Sequence, residues 1–227
     1  MSSVLLAVMS YPGANATFAR HWPYFERQQA DWVCGIGTTN GKCEWPDGVQ
    51  QLDIGESRYI DGSHLPRRML DTIEVLLLMP WRVLILCEYD TVFFKPIPTK
   101  KLTTAAGHLA GGKTWGSKAN AYYHNPWVFT REIAIKFLYL GRAALEDGIC
   151  PDRESGQPST PECSPDVFFG YVMEQGGIPV QIDLWREYSR NSFDLPGHLE
   201  EAQVAYRDGV DVIHGIKTKE QLDFILS

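Results

Sequence analysis

The sequence predicts an α/β domain with a mostly parallel central sheet flanked by helices, and three observations carry that expectation. Arg82 to Cys87 reads as a continuous apolar run, as required of a strand buried on both faces in the middle of a parallel sheet. Strand-like and helix-like stretches alternate ahead of it at the spacing of βαβ units. The 227 residues, 44% hydrophobic and 22% charged, suffice for one large α/β domain or two small ones, and a single domain over 1–227 is favoured.

Val4 to Met9 is a first strand ended by Ser10-Tyr11-Pro12-Gly13, and Ala16 to Ala30 carries Phe18, Trp22 and Phe25 at helical spacing. Asp31 to Ile36 is a second strand running into the loop Gly37 to Gly41, and Val49 to Ile54 a third. Ser63 to Arg68 contains a Pro-marked helix start, an apolar helix follows over Met69 to Met79, and Pro80 stops it before the Arg82–Cys87 strand. After Pro98 the pattern loosens. Gly107 to Ser117 holds four glycines and is expected as a loop, Trp127 to Phe129 as a short strand, and Arg131 to Leu145 as an amphipathic helix with Ile135, Leu138 and Leu145 among its apolar positions. The polar, Pro/Gly/Ser-rich stretch Pro151 to Pro161 is expected to be a mobile loop. Ser164-Pro165 then caps a helix over Val167 to Gln175, and Val210 to Ile213 is a last strand. In this reading the chain divides near Pro98 into a first half, 1–98, and a second, 99–227.

Charge narrows the partners. A net charge of -7 leaves no basic face for a nucleic acid, because no Lys/Arg cluster exceeds Arg67-Arg68 or Lys100-Lys101. Phosphate, if bound, therefore calls for a metal. Val4 to Met9 is too short for a membrane span and lacks a signal-peptide pattern, so no transmembrane segment and a cytoplasmic location are expected. The five cysteines form no CxxC pair; Cys34 with Cys43 and Cys150 with Cys163 could bridge in an oxidising compartment, but thiols are the favoured reading.

Glu88-Tyr89-Asp90 stands where the central strand ends. Residues i and i+2 of an extended segment point to the same side, so both carboxylates can converge on one cation in the crevice beyond the strand ends. Hard oxygen ligands suit Mg2+ or Mn2+ bridging a diphosphate, and a histidine ligand, His214 after the last strand, shifts the preference to Mn2+. Lys217 is then close enough in sequence to meet a phosphate oxygen. Asp166 sits in the first turn of a helix, where the dipole favours a carboxylate; a carboxylate base and a structural aspartate fit such a position equally well. Tyr11 ends the first strand as a base-stacking candidate, and Arg67 and Arg68 are candidates for pyrophosphate or sugar, since guanidinium forks match phosphate oxygens. Tyr89 belongs with these binding candidates. Trp127 is a candidate apolar wall for a sugar, with a core tryptophan as the simpler account.

The stretch from Pro80-Trp81-Arg82 through Glu88-Tyr89-Asp90-Thr91-Val92-Phe93 resembles the strand and acidic motif of GT-A (nucleotide-diphospho-sugar) glycosyltransferases. Four further stretches resemble the fringe and β-1,3-galactosyltransferase branch: His64-Leu65-Pro66-Arg67-Arg68, Asn125 to Thr130, Pro165-Asp166-Val167-Phe168-Phe169-Gly170, and Val212-Ile213-His214-Gly215. They keep the family's order over residues 60–217. The resemblance implies a GT-A-like fold, a nucleotide-diphospho-sugar donor with a UDP-sugar favoured, and a glycan or other hydroxyl acceptor. It also implies Mn2+ (or Mg2+) held by Glu88, Asp90 and His214, and Asp166 as the base of an inverting transfer. Three positions depart from the family pattern: Glu88 stands for its usual Asp, Pro165 for a Glu, and its Gly-Gly strand is not reproduced. A sugar-phosphate nucleotidyltransferase is the first alternative, although Ser10 to Ala16 lacks the Gly-rich basic loop such enzymes carry after strand one. A non-catalytic sugar-nucleotide or carbohydrate-binding module is the second.

Overall fold

The structure is a computed structural model that describes residues 4–28, 32–37, 45–54, 65–102, 104–111, 118–119, 121–149, 164–182, 184–189 and 193–227. The proposed loop Pro151–Pro161, together with Cys43, Cys150 and Cys163, lies outside the described residues.

Strands β1 (Val4–Met9), β2 (Trp32–Gly37), β3 (Gln50–Asp53), β4 (Val83–Glu88), β6 (Ala105–Gly111), β7 (Tyr122–Thr130) and β8 (Val180–Gln181) form one sheet in the order β3-β2-β1-β4-β7-β6-β8. Pairings β1–β2, β2–β3, β1–β4 and β6–β8 are parallel, and β7 alone runs against its neighbours β4 and β6. The result is a mostly parallel α/β sheet compatible with a Rossmann-like fold. Helices α1 (Asn15–Glu26), α2 (Leu65–Leu76), α3 (Arg131–Glu146) and α4 (Pro165–Gln175) complete the layers.

Alternation along β1 and β4 explains their unbroken hydrophobicity. Leu5, Ala7, Met9, Leu84 and Leu86 face a core shared with α2, α3 and α4. Val4, Leu6, Val8, Ile85 and Cys87 face a second core with Phe18 and Phe25 of α1. Both faces are covered, so no polar residue is tolerated on either. At about 1.5–3 kcal/mol for each fully buried large side chain, these two strands anchor the fold.

Several expectations are corrected. Strand β4, expected in the middle of the parallel run, has a parallel neighbour on one side and an antiparallel one on the other. The expected short strand Trp127–Phe129 extends over Tyr122–Thr130, and residues 107–111 of the expected glycine loop belong to β6. There the small residues allow close approach: a Cβ on Gly107 would stand 3.1 Å from the Tyr123 Cβ across the ladder. Helix α3 turns Ala134, Phe137, Gly141 and Ala144 inward, leaving Ile135 53% exposed and Leu138 and Leu145 at the margin of the core.

A second sheet, β5 (Thr91–Phe93), β10 (Val212–His214) and β9 (Glu187–Ser189), was not foreseen beyond its last strand. It packs with α5 (His198–Arg207) and α6 (Lys219–Leu226) around Val92, Ala202, Ile213, Leu222 and Ile225. Thr218 and Gln221 cap α6 reciprocally, each side chain taking up a backbone N–H of the first turn.

Candidate metal and catalytic site

The order β3-β2-β1-β4 makes the chain leave β1 on one side and return on the other. A crevice therefore opens beyond the carboxyl ends of β1 and β4. Tyr11 follows β1 there, and Glu88-Tyr89-Asp90 ends β4, with Tyr89 N–H donating to the Met9 carbonyl at 3.0 Å. The cavity of about 340 Å³ at this place is lined by Tyr11, Arg68, Glu88, Tyr89, Asp90, Asp166, His214 and Lys217, among others.

Chain direction brings His214 in. Strand β5 starts directly after Asp90 and pairs antiparallel with β10, setting His214 opposite Thr91. Beyond His214 the chain turns at Gly215, whose φ of 101° suits glycine. The Gly215 and Ile216 N–H groups then donate to the Asp90 carbonyl at 3.1 and 3.0 Å. His214 Nε2 thereby reaches Glu88 Oε2 at 3.1 Å and Asp90 Oδ1 at 3.2 Å. On its other side, Nδ1 lies 3.1 Å from Ser189 Oγ. With Nδ1 engaged, Nε2 is the nitrogen left for the acidic pair.

These groups perturb one another. Burial opposes a charged His214, but Asp90 and Glu88 outweigh it and hold the imidazole well above its ordinary value. Burial pushes Glu88 up, with His214 pulling the other way. Burial likewise presses on Asp90, yet His214 and Lys217 hold it below the usual carboxylate range. The donor set thus favours positive charge between its members. Their ligand atoms lie within 4.8 Å of one another, and Asp90 Oδ1 is buried beside the His214 ring. This buried Glu-Asp-His group can hold a metal ion.

Asp166 belongs to the same cavity. It opens α4 after Pro165, and its Oδ2 lies 3.1 Å from His124 Nδ1, while Oδ1 is buried without a partner. Arg68 is 2% exposed and lines the cavity, and Lys217 stands exposed at its rim. Tyr11 and Tyr89 meet edge to face at 5.4 Å, so Tyr11 is braced by the acidic motif's own tyrosine. Burial pushes the Tyr89 phenol up.

Two residues named from sequence stand elsewhere. Trp127 is fully buried, stacks on Phe169 and donates its indole N–H to the Tyr123 carbonyl at 3.1 Å; it is a core tryptophan and not a wall of the cavity. Arg67 is half-buried on α2 and is not among the cavity's lining residues, because its neighbour Arg68 takes the inward position.

Other residues of the site escaped sequence reasoning. Asn125 donates to Glu88 Oε2 at 3.0 Å and accepts from Thr91 Oγ1 at 2.7 Å, so it fixes both ends of the acidic turn. Fully buried His21 donates from Nδ1 to the Tyr89 carbonyl at 3.0 Å; burial lowers its pKa to about 4. Its signal was a polar residue between Phe18 and Phe25 on the apolar stripe of α1. Glu187 of β9 is pushed up to about 8 by burial, against the pull of the nearby His214. Three residues, too few for a visible period, form that strand.

No family model matches the chain, and no curated protein matches it either.

Proposed function

We propose that the protein is a metal-dependent glycosyltransferase that moves a sugar from a nucleotide-diphospho-sugar, a UDP-sugar in the favoured case, to an acceptor hydroxyl with inversion. The observation that carries this reading is the convergence of Glu88, Asp90, His214 and Asp166 on one cavity of about 340 Å³. A cation trap and a separate carboxylate face the same space, as a displacement with an anionic leaving group requires.

Glu88, Asp90 and His214 would hold Mn2+ (or Mg2+), which when bound offsets the charge that grows on the departing diphosphate. Arg68 and Lys217 add fixed positive charge beside that diphosphate, and Tyr11, braced by Tyr89, offers a face to the nucleoside base. Asp166 takes the acceptor's hydroxyl proton. The acceptor oxygen then bonds to the anomeric carbon as the bond from that carbon to the diphosphate breaks, its electron pair leaving with the nucleotide. One displacement inverts the centre. A cytoplasmic setting belongs to the same proposal; among the described residues no helix is long and apolar enough to cross a membrane.

The test is turnover of a panel of UDP-hexoses with Mn2+ and simple saccharide acceptors, with product configuration read by NMR. Metal-dependent release of uridine diphosphate with an inverted product supports the reading. A retained configuration rejects Asp166 as the base of a single displacement, and absence of any metal-dependent nucleotide release or binding rejects the transferase.

A further inference from the structure

Strand β7 supports both acidic elements of the cavity through consecutive residues. Asn125 exchanges hydrogen bonds with Glu88, its amide donating to Oε2 at 3.0 Å and its Oδ1 accepting from the Glu88 N–H at 3.3 Å. His124, the preceding residue, meets Asp166 Oδ2 at 3.1 Å. The metal-site carboxylate and the base carboxylate are therefore spaced by one short piece of backbone, although they come from β4 and from α4.

The approach of α4 to that backbone is set by a glycine. A Cβ on Gly170 would stand 2.1 Å from the Ala121 carbonyl oxygen, so only glycine lets the helix lie this close to β7. Asp166 is one helical turn before Gly170 and on the same face, which carries its carboxylate down to His124. The histidine is itself held in place: its ring lies 5.7 Å from the Tyr122 ring, edge to face, and 6.2 Å from the His214 ring. A carboxylate only accepts, so the pair requires the His124 proton on Nδ1. Oδ2 is then committed, and Oδ1, buried with no partner, is the oxygen left to receive a proton.

We propose that His124 is the positioning residue for the base, holding Asp166 by Oδ2 so that Oδ1 takes the proton of the acceptor hydroxyl. The inference rests on the glycosyl-transfer reading above. His124 is not among the residues lining the cavity and acts only through Asp166. The arrangement is the one general bases use elsewhere, in which a second group fixes the reacting atom at a small entropic cost.

The experiment compares the parent with His124→Leu, His124→Asn and His124→Gln. Two quantities are read: steady-state release of uridine diphosphate from the UDP-hexose that the parent turns over fastest, and Mn2+-dependent affinity for uridine diphosphate by calorimetry. His124→Leu is expected to lower kcat by about 10- to 100-fold, the range usual for loss of a group that orients a reacting one. The donor KM should stay within about twofold, since ground-state binding is untouched. Asn places an amide N–H near the position of Nδ1 and is expected to restore most of kcat; Gln reaches past it and is not. A His124→Leu variant with parental kcat overturns the inference, as does equal rescue by Asn and Gln. A rise in donor KM or a loss of uridine diphosphate affinity in these variants assigns His124 to general support of the fold and overturns it too. If the parent neither releases nor binds uridine diphosphate with Mn2+, the transferase reading fails first and this inference with it.

Discussion

His214 Nε2 lies 3.1 Å from Glu88 Oε2, which ties the last strand of the chain to the carboxyl end of the central one. The contact is a product of topology: β5 leaves Asp90 and meets β10 in antiparallel register, so the histidine arrives beside the acidic pair without any loop having to find it. Removing either side of this arrangement has different consequences. Asp90→Ala and His214→Ala should each raise the Mn2+-dependent dissociation constant of uridine diphosphate by at least about tenfold, or 1.4 kcal/mol, with Asp90→Ala the more severe. A carboxylate supplies charge as well as a ligand atom, and a neutral imidazole only the latter. Calorimetry checks the order, and parental affinity in either variant removes that residue from the ligand set.

Asp166→Asn keeps the shape of the side chain and the start of α4 while removing the proposed proton acceptor. Sugar transfer should fall by about 100- to 10,000-fold, as for other lost general bases, with donor affinity retained. Loss of donor affinity together with activity would mark Asp166 as a structural residue at a helix start.

Gly170→Ala tests the closeness of α4 to β7. A methyl group there meets the Ala121 carbonyl oxygen, so the helix must shift, at a cost of about 1–3 kcal/mol in urea unfolding. Turnover should drop with it, because Asp166 and His124 part as the helix moves. A variant of parental stability and activity would show that the contact is not tight.

His21 gives the fold an acid-sensitive element. Its pKa is lowered from 6.5 to about 4 by burial, so the folded state prefers the neutral ring that donates to the Tyr89 carbonyl. Above pH 6.5 this contribution is complete; as pH falls toward about 4 the unfolded chain binds the proton first, and stability is lost. Between pH 7 and pH 4.5 the parent should lose about 2–3 kcal/mol more than His21→Asn, in which an amide replaces the ring. Equal losses in urea titrations at the two pH values would contradict a neutral buried His21.

Much of the site was legible because its residues obey local rules. Glu88 and Asp90 follow an apolar run that can only be a covered strand, and Asp166 follows a Ser-Pro helix start. Tyr11, Arg68 and Lys217 were reached from position alone. What was not legible depends on pairing between distant segments. Asn125 reads only as the first residue of the Asn125–Thr130 stretch, and His124 carries no signal of its own, until β7 is laid against β4 and α4. Trp127 was misplaced for the same reason, since sequence does not tell which face of β7 meets Phe169. Strands β5 and β9 of the small sheet escaped because three residues show no period, and the edge residues Ser189 and Glu187 escaped with them. Helix α6 was passed over although the Thr218–Gln221 capping box is a local signal for it.

The most direct test of the account is the unfolding free energy of the protein with uridine diphosphate, measured with Mn2+ and again with chelator in its place. The acidic pair repels a bare diphosphate, whereas a cation held by Glu88, Asp90 and His214 bridges the two. At a nucleotide concentration about 100 times the dissociation constant, stability should rise by about 2.7 kcal/mol with Mn2+ and stay unchanged in chelator. Equal stabilisation under both conditions, or none under either, would contradict a metal-bridged diphosphate at this site.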